Sequence, residues 1–362
     1  MGTCRPSALP VAGRGIPPPD GAAVSYQDYF RLPWAGIGDI PMSKKDEQYL
    51  PYHPGLKAGS YIDLWGVAHE PGSAAAKHMT YMRCPLKGID SLSEVRAYPL
   101  PDYAAGDTAE NAASQRAQAA ALHARGLAAM GYLTCTIWET SWYIRGMEDL
   151  MMDMMSGDPI AAYILDAVTE RAVTRARAYA RAGVDILYLG DDIGMQKAPM
   201  MSLELYCKWL KPRLKQVIDA ARAVRPGILV KYHSCGYATP FIPHLIEAGV
   251  DILNPIQPES MNFQEIYREF GGKISLTAPS AHKASCPSAP HSRCAKPYSA
   301  TSTLPGPTAA CCRRPPICWS PRFPGRISSP MSRPAGTTSR ENSPLPRPLF
   351  HQGPAAKKAL IL

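Results

Sequence analysis

The chain has 362 residues, of which 46% are hydrophobic and 19% are charged, with 37 prolines and a formal net charge of +9. This length is sufficient for one large domain or two ordinary ones with a buried core. No apolar run approaches the roughly 18 residues that cross a bilayer, which excludes an integral membrane protein. The first twenty residues lack the apolar stretch of a secretory signal, so we expect a cytoplasmic protein. The net charge alone would suggest a protein that binds nucleic acid or a membrane surface.

The positive charge is concentrated in the C-terminal part of the chain. From Leu276 onward there are 12 Lys and Arg residues and one acidic residue, Glu341, which leaves 27 Lys and Arg against 29 Asp and Glu in residues 1–275, a net charge of −2. The same segment holds 16 of the 37 prolines and has neither helical nor strand periodicity. Such a segment buries too little apolar surface to offset the entropy of ordering it. We therefore expect neither nucleic acid nor a membrane among the partners of the folded body.

Three interpretations of this tail compete. The favoured one is a gene read in the wrong frame from near residue 275, because a GC-rich gene then yields mixtures of Pro, Arg, Ser, Ala and Cys. A basic arm that binds nucleic acid or acidic lipid is the second. A Cys/His metal tract is the third, although His291 and Cys294 match no common zinc spacing. The sequence thus predicts a disordered leader over residues 1–20, an ordered domain over 21–276 and a disordered or frameshifted tail over 277–362.

The ordered body alternates short apolar runs with amphipathic stretches. The run GYLTCTIW from Gly131 to Trp138 predicts a buried strand. Asp158 and Pro159 predict the start of a helix that ends at Gly183. The next predicted elements, in chain order, are a strand at 184–189, a helix capped by Ser202 and kinked at Pro212, a strand at 228–232, a short helix at 241–247, a strand at 250–253 and a helix at 263–270.

A six-residue repeat supports a regular architecture. The sequence AGVDIL occupies residues 182–187 and recurs 66 residues later at 248–253. Two strand–helix units fit in this interval, or about 33 residues per unit, near the roughly 31 expected when 250 residues form eight units. Chance recurrence of a common helix-to-strand turn is the alternative. The predicted fold is α/β, a (β/α)8 TIM barrel that is incomplete in this chain, with an open doubly wound sheet as the second choice.

Polar side chains follow four successive predicted strands. Because the carboxyl ends of parallel strands meet at one edge, these side chains should outline a single pocket. Asp191 and Asp192 are candidates for general acid–base catalysis or for helix capping, and Glu139 lies beside two tryptophans that could raise its pKa by desolvation. The positions are Trp138 and Glu139, Asp191 and Asp192, His233 and Cys235, and Asn254 and Gln257.

His233 and Cys235 are candidate metal ligands. Residues i and i+2 of an extended segment point to the same side, so the imidazole and the thiolate converge. Zinc accepts nitrogen and sulfur ligands at about 2.0–2.3 Å, and a catalytic zinc site takes a third ligand and leaves the fourth position open. The alternative is a buried structural cysteine beside a hydrogen-bonded histidine.

Four motifs together resemble the uroporphyrinogen decarboxylase-like superfamily, which contains uroporphyrinogen decarboxylases and cobalamin-dependent methyltransferases. The likeness covers residues 61–276. The motifs are ETSWYIRGMEDL at 139–150, GDDIG at 190–194 with Gln196, HSCG at 233–236 and DILNPIQ at 251–257.

The resemblance implies a TIM barrel and, through the H-x-C motif, the zinc-dependent methyltransferase branch with a corrinoid as methyl carrier. It also implies a small-molecule methyl donor or acceptor, a corrinoid protein as partner, and a third zinc ligand, a late cysteine that should lie beyond Leu276. Asp191, Asp192 and Glu139 would be catalytic. Trp138, Tyr143, Gln196, Asn254 and Gln257 would bind substrate. The alternatives are a metal-free uroporphyrinogen decarboxylase that uses Asp191, and a non-catalytic barrel with a basic binding tail.

Overall fold

The computed structural model describes residues 32–43, 45–72 and 80–277. The predicted leader, and the predicted tail after residue 277, lie outside them. The described residues contain nine strands, which form a six-stranded parallel sheet and a separate three-stranded antiparallel sheet. The strands are β1 (Trp34–Gly36), β2 (Tyr61–Ile62), β3 (Ala68–Pro71), β4 (Thr80–Arg83), β5 (Ala128–Thr134), β6 (Ile186–Gly190), β7 (Leu229–His233), β8 (Ile252–Asn254) and β9 (Ser275–Leu276).

Ten α-helices accompany these strands in the described residues. They are α1 (Leu92–Ala97), α2 (Tyr103–Gly106), α3 (Ala109–Ala124), α4 (Trp138–Arg145), α5 (Met147–Ser156), α6 (Pro159–Ala182), α7 (Leu203–Trp209), α8 (Lys211–Val224), α9 (Ile242–Ala248) and α10 (Phe263–Phe270). Short 3-10 helices occur at Asp46–Gln48, Leu50–Tyr52 and Thr239–Phe241. Across the part of the chain that the structure describes, no helix combines the length and the apolarity needed to cross a membrane.

The main core lies between the parallel sheet and its helices. Alternate strand residues such as Leu187, Leu189 and Val230 are fully buried and belong to the same cluster as apolar residues of α6 and α8. A second cluster joins the antiparallel sheet to α1 and the first half of α6, and contains Ile62 and Val95. The sheet thus has one helix-covered face and one face whose side chains are available to build a site.

The parallel strands follow one another in chain order, β1-β5-β6-β7-β8-β9. A doubly wound sheet reverses its strand order at a switch point, whereas a (β/α)8 barrel does not. The fold is therefore α/β with a parallel sheet and is consistent with part of a TIM barrel. Closure into eight strands stays a prediction.

The helix boundaries predicted from capping residues are confirmed. The Asp158 side chain accepts a hydrogen bond from the Ile160 backbone N–H at 2.8 Å, and Gly183 ends α6 in the left-handed conformation with φ of 86°. The Ser202 hydroxyl accepts from the Leu205 N–H at 3.1 Å at the start of α7. The kink predicted near Pro212 is a break at Leu210 that separates α7 from α8.

The first predicted strand needs correction. It was expected over Gly131–Trp138, but β5 spans Ala128–Thr134 and Trp138 is the first residue of α4. Cys135 has a φ of 54°, which turns the chain out of the sheet. The other predicted strands are shifted by one or two residues, and the predicted helix at 263–270 coincides with α10.

Candidate active site at the carboxyl ends of the parallel strands

The candidate site lies on the face of the sheet opposite the helices. In the register of the parallel strands, Gly190 is the neighbour of His233, and His233 is the neighbour of Asn254. Neighbours in one row of a sheet point to the same side, so the carboxyl ends of β6, β7 and β8 contribute to one surface. On the same face, two residues closer to the amino ends, the row contains Tyr132, Tyr188 and Lys231.

Three potential metal ligands converge at the end of β7. Single ligand atoms of Asp192, His233 and Cys235 all lie within 4.8 Å of one another, and all three residues are half-buried. His233 Nε2 is 3.4 Å from Cys235 Sγ and 3.8 Å from Asp192 Oδ1. Ligands bound to one tetrahedral zinc are roughly 3.3–3.7 Å apart, given bond lengths of about 2.0–2.3 Å. The His233–Cys235 distance lies in this range and the His233–Asp192 distance just outside it, so the nitrogen, sulfur and oxygen donors fit a zinc ion once Asp192 moves toward it.

Asp192 also holds the backbone of Cys235 in place across the site. Its Oδ1 accepts a hydrogen bond from the Cys235 N–H at 2.7 Å. Ser234, which is fully buried, accepts from the Ile193 N–H at 3.1 Å. Gln257, 7% exposed, accepts from the Gly236 N–H at 2.7 Å through its Oε1. The loop that carries His233 and Cys235 is thus held from the β6 and β8 sides.

Asp191 is an anchor for the segment between β5 and α4. Its carboxylate accepts hydrogen bonds from the backbone N–H groups of Ile137, at 3.1 Å, and Glu139, at 3.0 Å. The side chain is buried, with 3% of the residue exposed. Burial raises its pKa to about 7, and the backbone hydrogen bonds oppose that rise by stabilising the carboxylate. Its atoms face protein backbone and not an open surface.

Glu139 lies beside Asp192, one of the three candidate ligands. Its Oε1 accepts from the Tyr143 hydroxyl at 2.9 Å, and its Oε2 accepts from the Asp192 N–H at 3.1 Å. Burial, with the neighbouring charges of Asp191 and Asp192, raises the pKa of Glu139 to about 8. Cys135 is also buried, and its burial raises the pKa of the thiol. The Cys135 Sγ is 3.8 Å from the Tyr143 hydroxyl.

The predicted substrate-binding residues are dispersed over different environments. Tyr143 and Asn254 are half-buried at the site, while Gln196 is exposed in the loop after β6. Gln257 is occupied by the Gly236 amide. Trp138 is fully buried in the main core, and its Nε1 faces Met200 Sδ at 3.3 Å, so the structure gives it a packing position away from the surface of the site.

Several residues of the site were not singled out in the sequence. Tyr188 contacts His233 through its hydroxyl at 3.0 Å. Its position two residues before Gly190 on a predicted strand indicates that its side chain lies on the same face of the sheet as the residues at the strand ends. Cys135 and Ser234 carry no such signal, because their places depend on the turn after β5 and on the loop after β7.

A parallel sheet whose strands follow chain order defines an α/β protein consistent with part of a TIM barrel. Its polar groups lie at the carboxyl ends of the strands, where such folds carry their sites. Residues 99–277 match the family model described as Uroporphyrinogen decarboxylase (URO-D). This match supports assigning that region to the uroporphyrinogen decarboxylase-like superfamily.

Comparison with solved structures gives a distant match. A methyltransferase from Methanosarcina mazei aligns with a TM-score of 0.44 and 13% sequence identity, covering 69% of this chain and 65% of that chain. This chain therefore spans less than two thirds of that protein. No curated protein matches the sequence.

Proposed function

We propose that the protein is a zinc-dependent methyltransferase whose metal is held by His233, Cys235 and Asp192. The observation that carries this proposal is the convergence of one nitrogen, one sulfur and one oxygen donor within 4.8 Å at the carboxyl end of the sheet. A zinc ion bound there would supply a Lewis acid that activates a thiol or polarises the methyl donor or acceptor. Asp192 takes the place of the third ligand, a late cysteine, that the family resemblance implies beyond Leu276.

The chain's own residues hold these donors and shape the site around them. Asp192 binds the Cys235 amide, so a carboxylate and a thiol are kept on one side of the loop. Glu139 and Tyr143 form a hydrogen-bonded pair that also contacts the Asp192 amide, and they are the groups placed to exchange a proton with a bound reactant. Within this proposal, the family resemblance supports a corrinoid as methyl carrier, delivered by a corrinoid protein, and a small-molecule second reactant.

Decarboxylation of uroporphyrinogen is the alternative, and the description of the matching family favours it. That reading relied on Asp191 as the carboxylate that contacts the substrate. Because Asp191 is buried and accepts backbone N–H groups from the start of α4, it is poorly placed for such a contact. The convergence of nitrogen, sulfur and oxygen donors of Asp192, His233 and Cys235 is the arrangement that a metal-dependent reaction uses. We therefore prefer the methyltransferase.

Zinc analysis tests the proposal. The full chain, equilibrated with zinc and then passed through a desalting column, should retain about one zinc per molecule, as expected for one site with three protein ligands. His233→Ala and Cys235→Ser should each abolish retention. The matched controls are His123→Ala, at the exposed end of α3, and Cys207→Ser, on α7, and both should retain the metal.

Activity separates the two reactions. With methylcobalamin as the probe, the zinc-loaded protein should demethylate the corrinoid in the presence of a small thiol, and the His233→Ala variant should not. A wild-type chain that retains no zinc, or that decarboxylates uroporphyrinogen without metal, would contradict the methyltransferase proposal.

A further inference from the structure

Two polar atoms lie beside Nδ1 of His233, on the side of the ring away from Cys235. The Tyr188 hydroxyl and Asn254 Oδ1 are each 3.0 Å from Nδ1, and the Tyr188 hydroxyl is 3.1 Å from Asn254 Oδ1. The three residues come from adjacent strands, β6, β7 and β8. The arrangement is a closed triangle of hydrogen-bonding atoms on rigid elements.

The donors and acceptors in this triangle define the tautomer of His233. Asn254 Oδ1 is a carbonyl oxygen and only accepts, and the one hydroxyl hydrogen of Tyr188 is donated to it. Both oxygens next to Nδ1 are therefore available as acceptors, so Nδ1 carries the hydrogen of the neutral ring. The unprotonated nitrogen is then Nε2, which faces Cys235 Sγ and Asp192 Oδ1.

We infer that Tyr188 and Asn254 are positioning residues that hold His233 in its Nδ1–H tautomer and aim Nε2 at the metal. The inference deepens the proposed function and rests on it for the identity of the ligand, but the tautomer itself exists without metal. Outer hydrogen bonds of this kind fix the ring orientation of a metal-binding histidine and raise its basicity. Asn254, predicted from the sequence to contact substrate, thereby acts through His233.

Nitrogen NMR of the metal-free full chain tests the tautomer directly. With 15N-labelled histidine at pH 8, and with the His233 signals assigned by their loss in His233→Gln, the wild type should show Nδ1 protonated and Nε2 unprotonated. Asn254→Ala should shift the population toward the Nε2–H form, while Asn254→Asp, which keeps an acceptor, should preserve the wild-type pattern. An Nε2–H form in the wild type, or a pattern indifferent to Asn254→Ala, would overturn the inference.

Zinc competition against a chelator measures the consequence. Tyr188→Phe and Asn254→Ala should each weaken zinc binding about 10- to 100-fold, the usual effect of losing such a hydrogen bond. Tyr132→Phe is the matched control, because Tyr132 packs against the Tyr188 ring at 5.3 Å in the same row, and it should bind like wild type. Equal affinity in Tyr188→Phe, Asn254→Ala and wild type would overturn the inference. A wild type that binds no zinc would refute the proposed metal, and the NMR result would still decide the role of Tyr188 and Asn254.

Discussion

The loops that follow β6 and β7 approach each other so closely that glycine is required where they touch. A Cβ on Gly194 would lie 2.6 Å from the Tyr237 nitrogen, and a Cβ on Gly236 would lie 2.5 Å from the Gly194 oxygen. Gly236 also has a φ of +78°, the left-handed region that glycine adopts without cost. Both obstacles are backbone atoms, which cannot rotate away as side chains do. The two glycines thus set the spacing between Asp192 on one loop and Cys235 on the other.

Gly236→Ala should destabilise the protein and weaken zinc binding together. A left-handed backbone costs a non-glycine residue about 1–2 kcal/mol, and the overlap with Gly194 adds to that cost because a loop must move. Gly157→Ala is the matched control, since Gly157 has a φ of +76° with nothing within 4 Å of its Cβ position. Urea unfolding and zinc titration should show a larger loss of stability in Gly236→Ala, with weaker zinc binding in that variant alone. Equal losses of stability in the two variants would mean that the contact between the loops has no energetic role.

The repeated AGVDIL segment forms the same helix-to-strand connection twice. Gly183 and Gly249 end their helices in the left-handed conformation, with φ of 86° and 107°. Asp185 then accepts from the Ala129 N–H at 2.9 Å, and Asp251 accepts from the Val230 N–H at 2.8 Å, each on the preceding strand of the sheet. Each aspartate also pairs with an arginine at the end of α8 or just beyond it. Both copies of the repeat therefore fix the position at which a strand joins the preceding strand of the sheet.

Asp251→Ala should lower the free energy of unfolding by about 1.5–3 kcal/mol, because it removes a charged acceptor from a strand N–H and from Arg222. Asp219→Ala is the matched control on α8. Asp219 makes an exposed i,i+4 pair with Lys215, which is worth about 0.3–0.5 kcal/mol. Chemical denaturation of both variants gives the comparison, and a loss in Asp251→Ala no greater than that in Asp219→Ala would refute the role assigned to the repeat.

How far the sequence predicts an element depends on where its boundary is decided. The caps of α6 and α7 are local, since Asp158 and Ser202 bond to residues two or three positions away, and both were predicted correctly. The end of β5 is decided at a distance, because the turn after it presents the Ile137 and Glu139 amides to Asp191, more than fifty residues later. The β-branched composition of GYLTCTIW does not reveal that contact, so the predicted strand extends four residues beyond the observed end of β5 at Thr134. The strands of the antiparallel sheet have two to four residues each, too few to show a period.

The same distinction applies to the site and to the whole molecule. Strand ends in a parallel sheet must share an edge, so Asp192, His233, Cys235 and Asn254 were predictable as neighbours from the order of the elements alone. Side-chain pairing was not predictable, because the proximity of Asp192 to His233 and Cys235 depends on how closely the loops after β6 and β7 approach. The net charge of +9 describes the chain and not this fold, since residues 1–275 carry a net charge of −2.

A buried histidine far from the site makes the stability of the whole molecule depend on pH. His53, 3% exposed, contacts the Gly66 carbonyl oxygen through Nε2 at 2.6 Å, and its Nδ1 has no hydrogen-bond partner among the residues that the structure describes. Burial lowers the pKa of His53 below its ordinary value of 6.5, because a protonated ring there would be a desolvated charge. The neutral ring is therefore the form that the folded state accepts.

Acidification should destabilise the wild type through this residue. Above pH 6.5 His53 is neutral in both states and its contribution to stability is fully present; as the pH falls below 6.5 the unfolded chain takes up the proton first, and the contribution is lost progressively toward the lower pKa of the folded state. His53→Gln keeps a donor for the Gly66 carbonyl and has no proton to gain. The free energy of unfolding is measured by urea denaturation in steps from pH 8 to pH 5. It should fall more in the wild type than in His53→Gln. The difference between the two proteins at pH 8, where His53 is neutral, is subtracted from the differences at lower pH. Parallel curves for the two proteins would show that His53 titrates alike in the folded and unfolded chains and that its burial does not penalise the charge.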